Sequence, residues 1–292
     1  MSLFEKFEIT GKTTGPHLLI TGGVHGDEYE GIEAVRRLMK EMDPVELGGT
    51  LTLIPIVNIS AHLLDARCGE DHLDLARTCP GRIDGTTTEQ VAAELTWQIQ
   101  KADLYIDLHT GGKAMQLHPL VGYQLVSDKT VLEKQRRMAR AFGLPIIWGT
   151  CGDLDGRSLS VARDAGVPAV YAEYLGGENC SPEGVEAYVS GCRNIMAEFR
   201  MLPNETPRFF EAEWEIEDER PNSGHLQIHH PCPQDGVFQP GLRLGQEVKE
   251  GDELGRVGNV VVSAENGGRV ICLHLVGEVK TGECLGVILE KS

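Results

Sequence analysis

His25 and Glu28, three residues apart in TGGVHGDEYEG (residues 21–31), could hold one face of a metal ion. A neutral imidazole nitrogen and a carboxylate on one tight turn suit zinc, provided that a third ligand comes from elsewhere and one position stays open for water. His109 closes the run LYIDLH, and Glu173 lies near the end of VPAVYAE. His25, Glu28 and His109 would make a His/Glu/His zinc site, one ion per chain. Glu173 would stand opposite as a carboxylate able to accept a proton from water. Alone, His-x-x-Glu is common and better suits a polar loop in which Asp27 and Glu28 cap the following helix, because acids favour helix N-termini. The two readings part on whether the chain brings all four side chains together.

The elements that must do so can be read from periodicity. An apolar run over residues 17–20 predicts a buried strand, and a helix-like pattern follows over 32–42. Glycines at 22, 23 and 26 permit tight backbone paths between them. Nearly continuous apolar stretches at 50–57, 104–108 and 167–175 predict further buried strands. Helices are predicted at 88–101, with Val91, Leu95 and Ile99 on one face and Thr88 as N-cap, at 130–142, and at 182–200 with Pro182 in the first turn. Strands alternating with helices predict an α/β fold, a parallel or mixed sheet covered on both faces. If the strands before His25, His109 and Glu173 run parallel, these groups meet at the carboxyl edge of the sheet, where open α/β folds bind ligands. Asp107 is assigned to the other face of its strand, with a structural role.

Beyond residue 200 the character changes. Residues 201–210, MLPNETPRFF, read as a linker, and 211–216 alternate like a strand with one buried face. Short β-like pieces punctuated by glycine follow, with no helical period. The phrases GQEVKEGDELGRV and VGEVKTGECLGVI form a weak repeat that suits a half-barrel. The predicted organisation is a catalytic α/β domain at 1–205 and a small all-β domain at 206–292.

Of 292 residues, 41% are hydrophobic and 24% charged, as in ordinary globular proteins. The formal charge of −17, from 27 basic and 44 acidic residues, argues against nucleic acid or anionic membrane as partner. An anionic substrate would need positive charge inside its pocket. No stretch approaches the roughly 18 apolar residues of a membrane span, and the start lacks the features of a signal peptide. Eight scattered cysteines without a C-x-x-C pair suit reduced thiols and a cytoplasmic location. His62, His72, His118, His229 and His230 lack ligand-like spacing, and most of them are expected in loops or at the surface. The expected partner is a small-molecule substrate; a homo-oligomer is left open.

The motifs together resemble the succinylglutamate desuccinylase/aspartoacylase family, a branch related to the zinc carboxypeptidases. GGVHGDEYEG looks like its first zinc motif, IDLHT like the strand bearing the third ligand, and VPAVYAEYLGG like the segment with its catalytic glutamate. NISAHLLDARCGEDHLDLARTCPG resembles its Asn, Arg and Asp-Leu-Asn-Arg loop, and the tail resembles a biotinyl/lipoyl-like β-domain. The resemblance implies zinc on His25, Glu28 and His109, and Glu173 as general base and then general acid. It further implies Arg67 as polariser of the scissile carbonyl, and Asn58, Arg77 and Arg163 in substrate binding. Ala76 stands where the family usually has Asn, which points to a differently shaped substrate end.

The implied activity is zinc-dependent hydrolysis of an N-acyl amino acid or related N-acyl amine. Its rivals are a carboxypeptidase of short peptides and a relative that binds metal or ligand without turnover. A lipoyl-like carrier role for the tail is rejected, because GRVGNVVVSAENGG offers no lysine to modify.

Overall fold

The apolar segments of the first 200 residues form strands and helices in the predicted order. The computed structural model describes residues 2–177 and 179–291. It opens with β1 (Phe7–Thr10), β2 (Thr13–Thr21), α1 (Tyr29–Glu41) and β3 (Gly48–Ile54). The long polar loop begins with α2 (Ile59–Leu63) and ends at α3 (Thr87–Ile99), after which comes β4 (Leu104–His109). There follow β5 (Met115–Gln124), α4 (Lys129–Phe142), β6 (Ile146–Thr150), α5 (Ser158–Ala165), β7 (Ala169–Leu175) and α6 (Pro182–Glu198). The tail carries β8 (Trp214–Asp218), β9 (Gly236–Pro240), β10 (Glu247–Val248) and β11 (Glu253–Val257). It ends with β12 (Val260–Ser263), β13 (Gly268–His274), β14 (Gly277–Val279) and β15 (Gly286–Leu289).

An eleven-stranded mixed sheet runs β1-β3-β2-β4-β7-β5-β13-β10, with β6 and β8 continuing from β5 and β15 beside β13. β3, β2, β4 and β7 are parallel to one another, as the site requires. β5 runs antiparallel to β7 and parallel to β6. A second, four-stranded sheet, β12-β11-β9-β14, is built wholly from the tail. Backbone pairing also crosses the composition change near residue 205: β8 adds to β6, and β13 to β5.

Alternation along β2, β4 and β7 splits the core around them in two. Leu18, Ile20, Ile106 and Val170 pack with Val35, Leu38, Met138 and Tyr188 from α1, α4 and α6. Leu19, Tyr105 and Ala169 face the other way, against Val91, Leu95 and Ile99 of α3 and Leu159 and Ala162 of α5. Burying each such Leu, Ile or Val contributes about 1.5–3 kcal/mol, so both helix layers are held to the sheet by packing rather than by propensity. The N-cap of α3 is Thr86, in a capping box with Glu89, rather than Thr88. Thr88 instead donates its backbone N–H and hydroxyl to Asp71 in the preceding loop. His230 lies in a loop, as expected of most of these histidines, and is buried there, with Nδ1 near the Gly286 carbonyl and Nε2 accepting from the Glu265 N–H. None of the described helices is long and apolar enough to cross a membrane.

Candidate active site

Glu28 takes the N-cap position of α1 but makes no capping bond. Its two carboxylate oxygens go instead to two imidazoles: Oε1 lies 2.7 Å from Nδ1 of His25 and Oε2 2.9 Å from Nδ1 of His109. Asp27 does not cap either, since its Oδ2 accepts from the Lys113 N–H. The capping reading of the turn is thereby set aside. Gly26 allows the turn to press against the α2 loop, where a Cβ would lie 2.1 Å from the Ala61 carbonyl carbon. That contact brings the loop carrying Arg67 and Asp74 beside His25.

The far nitrogens of both imidazoles are held by carboxylates. His25 Nε2 lies 3.1 Å from Asp74 Oδ1, and His109 Nε2 lies 3.2 Å from Asp107 Oδ2. Asp107 is anchored in turn by the hydroxyls of Thr21 and Ser158. The expectation that Asp107 faces away is therefore wrong: residues two apart on a strand share a face. With an N–H at each Nε2, both Nδ1 atoms face the Glu28 carboxylate, and a proton or a shared cation must stand between these acceptors. His25, Glu28 and His109, all buried, offer ligand atoms within 4.8 Å of one another, a set that could hold a metal ion. The donors fit such an ion: two neutral imidazole nitrogens, a carboxylate and a fixed outer shell.

Electrostatics agree. Burial alone would raise the Glu28 carboxyl, but His25 and His109 outweigh it and hold the group far below the usual carboxylate range. Burial would lower His109, yet Asp107 and Glu28 hold it well above an ordinary histidine. A divalent cation can take the place of the proton those carboxylates otherwise demand.

Glu173 stands beside this cluster. It is the register partner of His109 across the β4–β7 pairing, and its Oε2 is buried without a hydrogen-bond partner among the described residues. Burial pushes its carboxyl up to about 8, with Glu28 and Asp107 adding to the rise and His109 and Arg67 opposing it. Arg67 donates from Nε and Nη2 to Asp74, at 3.1 and 2.9 Å, which aims Nη1 to within 4.0 Å of Glu28. Asp74 and Glu28 outweigh burial and keep that guanidinium charged.

The same pocket is lined farther out by Arg77, Arg157, Gln124 and Tyr171. Arg77 donates to its neighbour's carbonyl at Ala76 and to Gln227 of the tail. Arg157 Nη2 is buried with no partner among the described residues. Burial lowers both guanidinia, Arg77 to about 10, and for Arg77 the positive charge of Arg157 adds to the effect. Two cations with no carboxylate bound to either among the described residues form a place for an anion.

Two residues expected to bind substrate are not among those lining this pocket. Arg163 donates to Asp164, Asp155 and the Gly152 carbonyl and borders a separate depression. Asn58 is buried as the N-cap of α2, its Oδ1 accepting from Ala61 N at 3.1 Å. Arg157 takes the place in the pocket that counting back from Glu173 gave to Arg163. The signal available in the sequence was Arg157 immediately before a helix of Ser, Leu and Val.

Residues 14–199 match the catalytic domain of succinylglutamate desuccinylase/aspartoacylase. The chain belongs to the succinylglutamate desuccinylase/aspartoacylase family. Within this desuccinylase/aspartoacylase group, it is 28% identical to the N-alpha-acetyl-L-2,4-diaminobutyric acid deacetylase of Halomonas elongata, over 94% of this chain and 82% of that protein. The crystal structure of a succinylglutamate desuccinylase/aspartoacylase from Rhodobacter sphaeroides superposes with a TM-score of 0.87 at 25% identity, covering 99% of this chain and 89% of that one. The product-bound ectoine utilization protein EutE (DoeB) of Ruegeria pomeroyi also gives 0.87, at 28% identity, covering 97% and 87%. The mixed sheet with helices on both faces and a separate tail sheet is thus the architecture of this desuccinylase/aspartoacylase family.

Proposed function

We propose that the protein is a zinc-dependent amidohydrolase that removes the acyl group from a small N-acyl amino acid or related N-acyl amine. The observation that carries this reading is the His25–Glu28–His109 cluster with Glu173 in register beside it, in a pocket whose outer wall holds two unneutralised guanidinia. The Halomonas relative is named for an N-acetylated diamino acid, a substrate of this class.

His25, Glu28 and His109 would hold the zinc ion. Zinc in such a site supplies Lewis-acid chemistry, polarising a carbonyl and making water acidic enough to ionise near neutral pH. Glu173 Oε2 takes the proton of the attacking water and delivers it to the departing amine nitrogen. The aimed Nη1 of Arg67 stabilises negative charge as it develops on the carbonyl oxygen, so it acts on rate more than on binding. Arg77 and Arg157 bind the substrate carboxylate and set the scissile bond between Arg67 and Glu173. The expected partner is the small-molecule substrate alone, with no nucleic acid or membrane.

The test is a hydrolysis screen on N-acetyl, N-succinyl and N-formyl amino acids and on dipeptides, with metal analysis on the same sample. Deacylation that tracks zinc content supports the reading. Dipeptide cleavage without deacylation would make the protein a carboxypeptidase, and metal binding without turnover of either would make it a non-catalytic relative.

A further inference from the structure

Gln124 is 3% exposed at the end of β5 and lines the active-site pocket. Its amide orientation is determined by its surroundings: Nε2 donates to the Leu154 carbonyl at 2.9 Å, so Oε1 is the free end. That oxygen is buried with no partner among the described residues. Arg157 lines the same pocket and its Nη2 is likewise without a partner among the described residues, so the two do not satisfy each other. One loop anchors both, with Leu154 holding the amide and Arg157 opening α5.

Register relates this wall to the chemistry. Leu120 pairs with Glu173 and Gly122 with Tyr171, so Gln124, two residues on, faces the same side of the sheet as the proposed base. Gly122 leaves room for the Tyr171 ring, whose Cε1 would lie 2.3 Å from a Cβ there. Tyr171 therefore lies over the sheet between Glu173 and Gln124. A buried amide oxygen left without a donor destabilises the site, and a bound group that donates to it recovers that loss.

We propose that Gln124 Oε1 selects substrates whose non-scissile side chain carries a hydrogen-bond donor, while Arg77 and Arg157 take the carboxylate. This rests on the deacylase reading and names its substrate class: N-acyl amino acids ending in an amide, hydroxyl or ammonium group. A second carboxylate in that position would set oxygen against oxygen, so N-acyl dicarboxylic amino acids are disfavoured.

The experiment compares kcat/KM for N-acetylasparagine, N-acetyl-2,4-diaminobutyrate, N-acetyl-2-aminobutyrate and N-acetylaspartate. A donor-bearing substrate is expected to exceed both of the others by at least about tenfold, and the two donor substrates separate neutral from cationic donors. In Gln124→Met, which keeps the length and removes the acceptor, the preference collapses toward unity. In Gln124→Glu, which keeps an acceptor and adds charge, preference shifts to the ammonium substrate. A preference unchanged in Gln124→Met, or a wild-type preference for N-acetylaspartate, overturns the proposal and assigns the oxygen to water. Calorimetry with the free amines on zinc-loaded protein separates the two readings. Tighter binding of 2,4-diaminobutyrate or asparagine than of 2-aminobutyrate without turnover of any N-acyl substrate removes the hydrolase and keeps the Gln124 assignment. Turnover without donor preference does the reverse, and absence of both sinks the two together.

Discussion

His109 and Glu173 sit opposite each other on adjacent parallel strands, so one backbone register fixes a proposed metal ligand and the proposed base together. A slip of one residue would turn both to the opposite layer. Glu173→Gln keeps the shape and removes the proton acceptor. We expect zinc content unchanged by elemental analysis and kcat reduced at least about 10²-fold. Wild-type turnover in this variant would show that another group moves the proton.

Asp107 and Asp74 fix the outward nitrogens of the two imidazoles. Asp107→Asn leaves the strand in place and removes the charge. Zinc affinity, measured by competition with a chromophoric chelator, should fall about 10–100-fold. Unaltered affinity would mean that packing alone orients His109.

Arg157 and Arg163 provide a paired comparison six positions apart. Arg157→Ala should lower kcat/KM for carboxylate-bearing substrates by the equivalent of about 1.5–3 kcal/mol, chiefly through KM. Arg163→Ala should leave the kinetics of the same substrates as they are, because its guanidinium is engaged by Asp155 and Asp164 outside the pocket. The opposite outcome would restore Arg163 as the substrate contact.

Asp71 gives a pH dependence of known sign. Burial would raise its carboxyl, but hydrogen bonds from Thr86, Thr88 and Leu73 outweigh that and bring it from 3.8 to about 2. Its folded pKa is depressed, so its stabilisation is complete above about pH 4 and fades as pH falls toward about 2. Asp71→Asn should cost roughly 1 kcal/mol at neutral pH, as loss of a helix-capping acceptor does. Urea midpoints of parent and variant should converge as the pH drops through that window. A constant gap would mean that the carboxylate's charge plays no part.

The strand-helix alternation and the four residues His25, Glu28, His109 and Glu173 were legible because each lies at or just past the carboxyl end of an apolar run. Local patterns carry that information. Arg157 was not legible in the same way: its place in the pocket depends on the Gly152–Arg157 loop path, and no fixed spacing from Glu173 encodes a loop path. Gln124 was hidden because β5 has Pro119 and Gly122 inside it, and only pairing with β6 and β7 reveals its face. The tail was read correctly as β-rich, but strand pairing over long separations, such as β13 with β5, leaves no local trace in the sequence.

The bond from Arg77 to Gln227 joins positions 150 residues apart, and Gly224 and Leu226 line the same wall. During synthesis the proposed metal ligands and the proposed base emerge first, whereas this stretch of wall arrives only after the α/β half is already made. A polypeptide halted before residue 224 would therefore hold Gln124, Arg77 and Arg157 but lack the stretch of wall that Gly224, Leu226 and Gln227 supply.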